Sequence, residues 1–280
     1  MTKFNFGIIG QNIAYSQSPE IFNAIFGLRQ IEGEFTVYDF PISEFDKHLP
    51  VLRKLDGFSV TIPFKDRIID FIAEMGNSTH SIQAVNSVKV EKSRFFGFNT
   101  DGIGFIYGLC NPEIKLKNAL IIGYGGAARA VIHALIGNFK IKNITVCGRK
   151  ILDTCLLRQK YFSHIASDIG FSYSVASQLE YSAEYDLIVN CTPCGDRNHR
   201  NESPLTENFE FQGRGIYYDL IYDPSETALM SKAAKSGWYT KNGYPMLVRQ
   251  AVESYKIWSG DDISADRLTQ DVIQFQEKQV

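Results

Sequence analysis

Two α/β domains are the fold this sequence predicts, the first with a mixed sheet and the second parallel and doubly wound, with C-terminal helices returning to the first. Three observations carry it. Short apolar runs alternate with helix-patterned stretches along most of the chain, as βαβ units require. Residues 84 to 99 instead alternate in period two around the polar turn Glu91 to Arg94, as a hairpin does, so the first sheet need not be purely parallel. From Asn118 the pattern becomes strand, glycine turn, helix, strand, which opens a second unit.

The first strand is the apolar run Phe4 to Ile9. Ser18 as cap and Pro19 in first position then open a helix whose buried face is Phe22, Ile25 and Phe26, with Leu28 as a further candidate. Phe35 to Phe40 follows as a strand, then a helical stretch from about Ser43 that Pro50 must break or restart. Phe58 to Ile62 is the next strand, and Pro63 starts another helix. In the second unit, strands Ala119 to Ile122 and Ile144 to Cys147 flank a helix from Ala128 to Phe139, and the runs Leu187 to Val189 and Ile216 to Ile221 extend its sheet. Gly213 to Gly215 punctuates the approach to the last of these. After Gly243 the chain reads as helices over 245 to 258 and about 264 to 277. The second domain therefore covers 104 to 242, and the first combines 1 to 103 with 243 to 280.

At 280 residues and 44% hydrophobic content the chain can bury a sizeable core. A net charge of -2 with no long run of one sign gives no electrostatic reason to expect nucleic acid or an anionic membrane as partner, so a small molecule is the expected ligand. The stretch Phe6 to Gly10 is too short for a signal peptide's apolar region and no stretch approaches membrane-spanning length, which makes the cytoplasm the default expectation. The expected assembly is a monomer or homodimer. Cysteines 110, 147, 155, 191 and 194 are odd in number and scattered, unlike a disulfide framework. Only Cys191 and Cys194 have redox or zinc spacing, and His199 is the sole histidine close by, so no metal is expected.

Gly123, Gly125 and Ala128 stand at the spacing G-x-G-x-x-A between a strand and a helix, the start of a Rossmann-type dinucleotide domain. Gly123 permits the tight turn, and Gly125 lets the backbone approach a pyrophosphate. The helix from about Gly126 offers free N–H groups and a positive dipole end to that anion, with Ala127 adding no bulk. The plain alternative is a tight strand-to-helix turn. NAD-specific domains place an acidic residue about 20 positions on, at the end of the second strand. Here Gly148, Arg149 and Lys150 stand there; a guanidinium clasps a 2′-phosphate that a carboxylate would repel, so NADP is the expected cofactor. A solvated pair of cations is the alternative.

Lys65 follows a strand on the first turn of a helix, and clefts in α/β proteins form at the carboxyl ends of strands. A lysine there can give a proton to a carbonyl oxygen as hydride arrives. Equally, it can be an exposed lysine at a helix start. Asp101, followed by Gly102, is either its partner or a helix cap. Asn99, Thr100 and Asn86 offer neutral donors and acceptors for hydroxyls of a ligand. With the glycine loop, these residues point to a dehydrogenase.

From Phe6 to Gly260 the chain resembles the shikimate dehydrogenase family, through seven motifs in family order: Ser-Gln-Ser-Pro (16–19), Ser-Val-Thr-Ile-Pro-Phe-Lys (59–65), Ala-Val-Asn-Ser (84–87), Phe-Asn-Thr-Asp-Gly (98–102), Gly-Tyr-Gly-Gly-Ala-Ala-Arg (123–129), Asn-Cys-Thr-Pro (190–193) and Met-Leu-Val-Arg-Gln (246–250). The resemblance implies NADPH-dependent reduction of 3-dehydroshikimate to shikimate, with Lys65 and Asp101 as the catalytic pair. It also implies that Ser16 and Ser18 hold the substrate carboxylate, that Thr61, Asn86, Asp101 and Gln250 bind ring hydroxyls, and that Tyr222 lies near the substrate. For the cofactor it implies the loop Gly123, Tyr124, Gly125, Gly126 and Ala127 at the pyrophosphate, Arg149 with Lys150 at the 2′-phosphate, Thr192 along the cofactor and Gly243 at the nicotinamide amide. Hydroxyl-rich recognition suits a polyhydroxylated monocarboxylate, and Ser16 and Ser18 before Pro19 can exploit a helix N-terminus; Ser18 as a mere cap and Ser16 as a loop residue is the alternative. A quinate or aminoshikimate dehydrogenase and a non-catalytic NADP-binding regulator are the rival functions.

The chain departs from the family pattern in several places. Ser59 stands where many members have Asn, Gly148 where Asn often precedes the arginine, and Lys150 where Thr is common, while Tyr124 and Cys191 replace alanines. Ser59 bears on substrate choice; the changes around Arg149 leave that guanidinium in place.

Overall fold

A computed structural model describes residues 3–278 except 110–114, 150–153, 164, 166, 180 and 183. The chain forms two compact units, Met1–Gly104 with Val248–Val280, and Phe105–Leu247.

The first unit runs β1 (Phe4–Gly10), α1 (Ser18–Arg29), β2 (Gly33–Asp39), α2 (Phe45–Leu52), β3 (Gly57–Val60), α3 (Phe64–Arg67), β4 (Ile72–Met75), α4 (Asn77–Ile82), β5 (Ser87–Glu91) and β6 (Arg94–Phe98), and then enters α5 (Asp101–Leu109). Its six strands lie in the order β2-β1-β3-β5-β6-β4, and β5 alone runs antiparallel to its neighbours. The mixed sheet follows from the hairpin: Lys92 and Ser93 take φ of 49° and 61°, the left-handed pair that a two-residue connection between twisted strands needs. Both faces of the sheet are covered. Phe58 and Val60 join Ile9, Phe40, Phe45, Phe64 and Phe95 on one side. On the other, Phe6 packs against Phe22, Phe26 and Trp258 at centroid distances of 5.9, 6.0 and 4.9 Å. Each such ring contributes roughly 1.5–3 kcal/mol by leaving water.

In the second unit come β7 (Asn118–Ile122), α6 (Gly126–Asn138), β8 (Asn143–Gly148), α7 (Thr154–Tyr161), β9 (Gly170–Val175), β10 (Leu187–Asn190), β11 (Ile216–Asp219), α8 (Ala228–Lys235) and β12 (Tyr239–Lys241). The chain then enters α9 (Tyr244–Ser259), and α10 (Ala265–Glu277) completes the first unit. All six strands of this sheet are parallel, in the order β12-β11-β10-β7-β8-β9, the doubly wound arrangement with its reversal between β7 and β10. Alternate residues of β7 enter opposite cores, Ala119 and Ile121 one, Leu120 and Ile122 the other, which is why the strand reads as an unbroken apolar run.

Several local expectations change. Leu28 is 37% exposed, and Ile21, at 1%, takes its place on the buried face of α1. Leu28 lies about 90° around the helix from the centre of the stripe Ile21, Phe22, Ile25 and Phe26. Pro50 does not break α2: it sits two residues from the end of an eight-residue helix, where little of the hydrogen-bond ladder remains. Ser18 is not the cap of α1: Gln17 occupies that position without a side-chain bond, and the Ser18 hydroxyl turns to Ser16. Asp101 is the first residue of α5 rather than a cap ahead of it. The strand expected over Phe58 to Ile62 ends at Val60.

Candidate active site and cofactor loop

Sheet direction places most of the first unit's candidate residues along one edge. Because β1, β3 and β6 run the same way and β5 the opposite way, the carboxyl ends of the first three and the start of β5 share that edge. Ser16 follows β1, Thr61 follows β3, Lys65 lies one turn later in α3, Asn86 precedes β5 and Asp101 opens α5 after β6.

Lys65 Nζ donates to Asp101 Oδ2 at 2.5 Å, with the two side chains only 14% and 7% exposed. Asp101 Oδ1 accepts from Asn86 Nδ2 at 2.8 Å. The same amide nitrogen reaches Thr100 Oγ1 at 3.0 Å and Gln250 Oε1 at 3.4 Å, while Asn86 Oδ1 accepts from the Thr100 N–H at 2.7 Å. The Lys65 carbonyl accepts from Val85 N at 3.0 Å, fixing α3 to the chain just before Asn86. Helix α9 contributes a polar ridge: below Gln250, Ser254 meets Thr100 Oγ1 at 3.3 Å, and Trp258 Nε1 donates to Ser87 Oγ at 3.0 Å. A lysine amine oriented by a carboxylate, itself oriented by an amide, is an arrangement suited to delivering and recovering a proton at a fixed point.

Nearby along the chain, Ser16 Oγ donates to Ser18 Oγ at 3.1 Å, so two hydroxyls stand together at the start of α1. Thr61 and Ile13 both flank Gly10, the Ile13 carbonyl accepts from Ser16 N at 2.9 Å, and the Ile62 carbonyl accepts from Gln11 N at 3.0 Å, which ties the serine loop to the end of β3. Ser59 Oγ is buried with no hydrogen-bond partner among the described residues.

In the second unit the loop after β7 and the loop after β10 meet at the strand-order reversal, where ligands of doubly wound sheets sit. Gly123 takes φ of +106°, which a side chain resists, and its N–H donates to the Cys147 carbonyl at 2.7 Å. An added Cβ on Gly123 would lie 3.2 Å from Thr192 Cγ2, whereas nothing lies within 4 Å of one on Gly125. Gly125 also caps α6 without any side-chain bond, so the open approach leads to free N–H groups at a helix start. These residues fit a pyrophosphate. Arg149, directly after β8, is exposed and available to a further phosphate, and Lys150 lies outside the described residues. Tyr124 is 37% exposed, Gly126 and Ala127 are half-buried on the first turn of α6, and Tyr222 is half-buried after β11. Gly243 donates its N–H to the Ile221 carbonyl at 2.8 Å and packs so closely on Leu220 that a side chain would collide with the Leu220 carbonyl. Among the described residues no group of three His, Cys, Asp or Glu side chains is placed to hold a metal ion.

Asp219 escaped the sequence analysis. It is 1% exposed at the end of β11, where Oδ1 accepts from Asn190 Nδ2 (3.0 Å) and Ile221 N (3.2 Å), and Oδ2 from Tyr217 Oη (3.0 Å) and Thr227 Oγ1 (2.8 Å). Burial raises the Asp219 carboxyl above its usual value against the pull of these donors. Asn190 Oδ1 in turn accepts from Thr192 N at 3.0 Å and Thr192 Oγ1 at 2.7 Å, which commits the hydroxyl and leaves the methyl toward Gly123. A lone acid at the end of the apolar strand Ile216 to Asp219 was the available signal.

Three comparisons place these features. A family model described as the shikimate dehydrogenase substrate binding domain matches residues 8–88. The shikimate dehydrogenase (NADP(+)) of Clostridium botulinum (strain 657 / Type Ba4) is 33% identical over 265 residues, 93% of this chain and 98% of the relative. Among solved structures, shikimate dehydrogenase 1 of Peptoclostridium difficile aligns with a TM-score of 0.83 at 28% identity, covering 97% of each chain. The shikimate 5-dehydrogenase of Thermus thermophilus, in complex with NADP(H) and shikimate, aligns with a TM-score of 0.79 at 27% identity over 97% of this chain and 99% of that one.

Proposed function

The chain belongs to the shikimate dehydrogenase family, and we propose that it catalyses the reversible NADPH-dependent reduction of 3-dehydroshikimate to shikimate, a step of aromatic amino-acid and chorismate biosynthesis. The observation that carries the chemistry is the hydrogen-bonded cluster of Lys65, Asp101, Asn86 and Gln250. NADPH, when bound, supplies the hydride to the ketone carbon. Lys65 Nζ delivers a proton to the ketone oxygen, turning C=O into H–C–O–H, and takes it back in the reverse direction. Asp101 holds the amine in place, and Asn86 holds Asp101.

Around that centre we assign the paired hydroxyls of Ser16 and Ser18 to the substrate carboxylate, and Thr61, Asn86, Asp101 and Gln250 to ring hydroxyls, with Tyr222 beside the substrate. The loop Gly123 to Ala127 takes the pyrophosphate, Arg149 and Lys150 the 2′-phosphate, Thr192 lines the cofactor and Gly243 admits the nicotinamide amide. Residues 1–103, completed by 243–280, then form the substrate domain, and 104–242 the NADP domain. No helix among the described residues is long and apolar enough to cross a membrane, and we place the enzyme in the cytoplasm as a monomer or homodimer.

The test is an initial-rate assay with shikimate and NADP that follows absorbance of the reduced nicotinamide, with quinate as competitor substrate. Turnover of shikimate with NADP above all other pairs is expected. Faster turnover of quinate would reassign the substrate, and binding of NADP without turnover of either would make the chain a regulator.

A further inference from the structure

The end of β8 carries a feature that the dinucleotide loop does not require. Gly148 is the last residue of that strand, and a Cβ added there would collide with Tyr173 Oη and lie 3.3 Å from Tyr124 Cε1. Two phenol rings therefore close over one bare α-carbon. They come from opposite sides: Tyr173 from β9, one strand over, where it pairs in register with Val146, and Tyr124 from the glycine loop. The loop is held there by the Gly123 N–H on the Cys147 carbonyl and by Arg129, whose Nη1 donates to the Tyr124 carbonyl at 3.4 Å. Burial raises the Tyr173 hydroxyl above its usual value and the neighbouring Tyr124 adds to the shift, as expected of two phenols side by side. Tyr124 remains 37% exposed although it is a large aromatic residue, and Arg149 follows Gly148 directly.

Phenol hydroxyls donate to phosphate oxygens, and a guanidinium beside them supplies the charge that a dianionic phosphate needs. We propose that Tyr124 is a specificity-determining residue for the 2′-phosphate of the cofactor: its hydroxyl donates to that phosphate from the side opposite Arg149, and Tyr173 is the positioning residue that props the Tyr124 ring across Gly148. Gly148 is then needed because any side chain there would push the two rings apart. The proposal rests on the assignment of Arg149 to the same phosphate.

Calorimetric titration of the whole protein with 2′,5′-ADP and with 5′-ADP tests it without turnover. Wild-type protein should bind 2′,5′-ADP well over tenfold more tightly than 5′-ADP, and Arg149→Ala should abolish that preference. Tyr124→Phe, which keeps the ring and removes only the hydroxyl, should weaken 2′,5′-ADP roughly tenfold and leave 5′-ADP unchanged. Gly148→Ala should weaken 2′,5′-ADP at least as much. If the wild type shows no preference, the 2′-phosphate assignment itself fails. Should Arg149→Ala abolish the preference while Tyr124→Phe preserves it, the role of Tyr124 alone is refuted. Equal weakening of both nucleotides in Tyr124→Phe also refutes it, since the residue would then serve only the adenosine.

Discussion

Replacing Lys65 by methionine keeps the length of the side chain and removes the proton and the charge. At 2.5 Å the ammonium and the Asp101 carboxylate attract by roughly 7 kcal/mol at an effective dielectric of about 20. Much of that offsets the cost of taking both groups out of water, so the pair's main effect is to fix where the amine points. Loss of a positioned general acid lowers the rate by about 10²- to 10⁴-fold, equivalent to roughly 3–5 kcal/mol of barrier. The Michaelis constant for shikimate should move far less, because Asn86 and Gln250 hold their places through Thr100 and Ser254. Initial rates in both directions, with the variant's melting temperature as a control for folding, check this. A Lys65→Met enzyme that keeps more than a tenth of the wild-type kcat would show that the proton comes from elsewhere.

Other outcomes follow from the remaining geometry. Arg149→Ala should raise the Michaelis constant for NADP by roughly 10- to 100-fold, the loss of a charge-assisted hydrogen bond, and leave that for NAD nearly unmoved; equal effects would refute the assignment. Gly123→Ala puts a side chain at φ of +106° and 3.2 Å from Thr192 Cγ2, and urea unfolding should show a loss of about 1–3 kcal/mol alongside weaker NADP binding. Wild-type stability and affinity in that variant would contradict the strained turn. Burial pushes the Asp261 carboxyl up, but bonds from Arg29 (2.8 Å), Tyr255 and the Ile263 N–H outweigh it and hold it below its usual value. Its contribution is therefore present above the unfolded value of about 3.9 and fades as pH falls through the lower folded one. Asp261→Asn should melt earlier than the wild type at pH 7, with the gap closing below about pH 4, and a gap constant across that range would contradict the coupling.

Legibility in the sequence followed burial. Strands covered on both faces, β3, β7, β8, β10 and β11, announce themselves as apolar runs, and the hairpin by its period of two. Half-buried edge strands were legible only where the apolar run was long enough: β2 showed as Phe35 to Phe40, whereas β9 mixes serines with aromatics, β12 has three residues, and β4 follows a 3-10 turn. Helix α4, Asn-Ser-Thr-His-Ser-Ile, has too little apolar surface to show a stripe. Lys65, Asp101, the glycine loop and Arg149 were readable because they sit within a few positions of strand ends, whereas Thr61, Thr192, Tyr222, Gly243 and Gln250 came only from the family resemblance. The pairing of Lys65 with Asp101 was expected, but the link from Asn86 to Gln250 was not, since the two meet across 164 positions and only the packing of α9 brings them together. Asp219 was missed because a single carboxylate gives no spacing to detect: Tyr217, Ile221 and Thr227 lie within eight positions of it, and Asn190 reaches it from β10.

The hairpin β5–β6 stands like a tuning fork with Asn86 and Asp101 just beyond its two feet and the exposed pair Lys92 and Ser93 at its tip. Each prong is five residues long, so the tip lies roughly 15 Å from the chemistry. A fluorophore, affinity tag or short inserted peptide grafted at Lys92 should thus report on or capture the enzyme without touching turnover. Deleting a single residue from either prong has the opposite consequence, since it would turn one foot to the other face of the sheet and part the amide from the carboxylate it steadies.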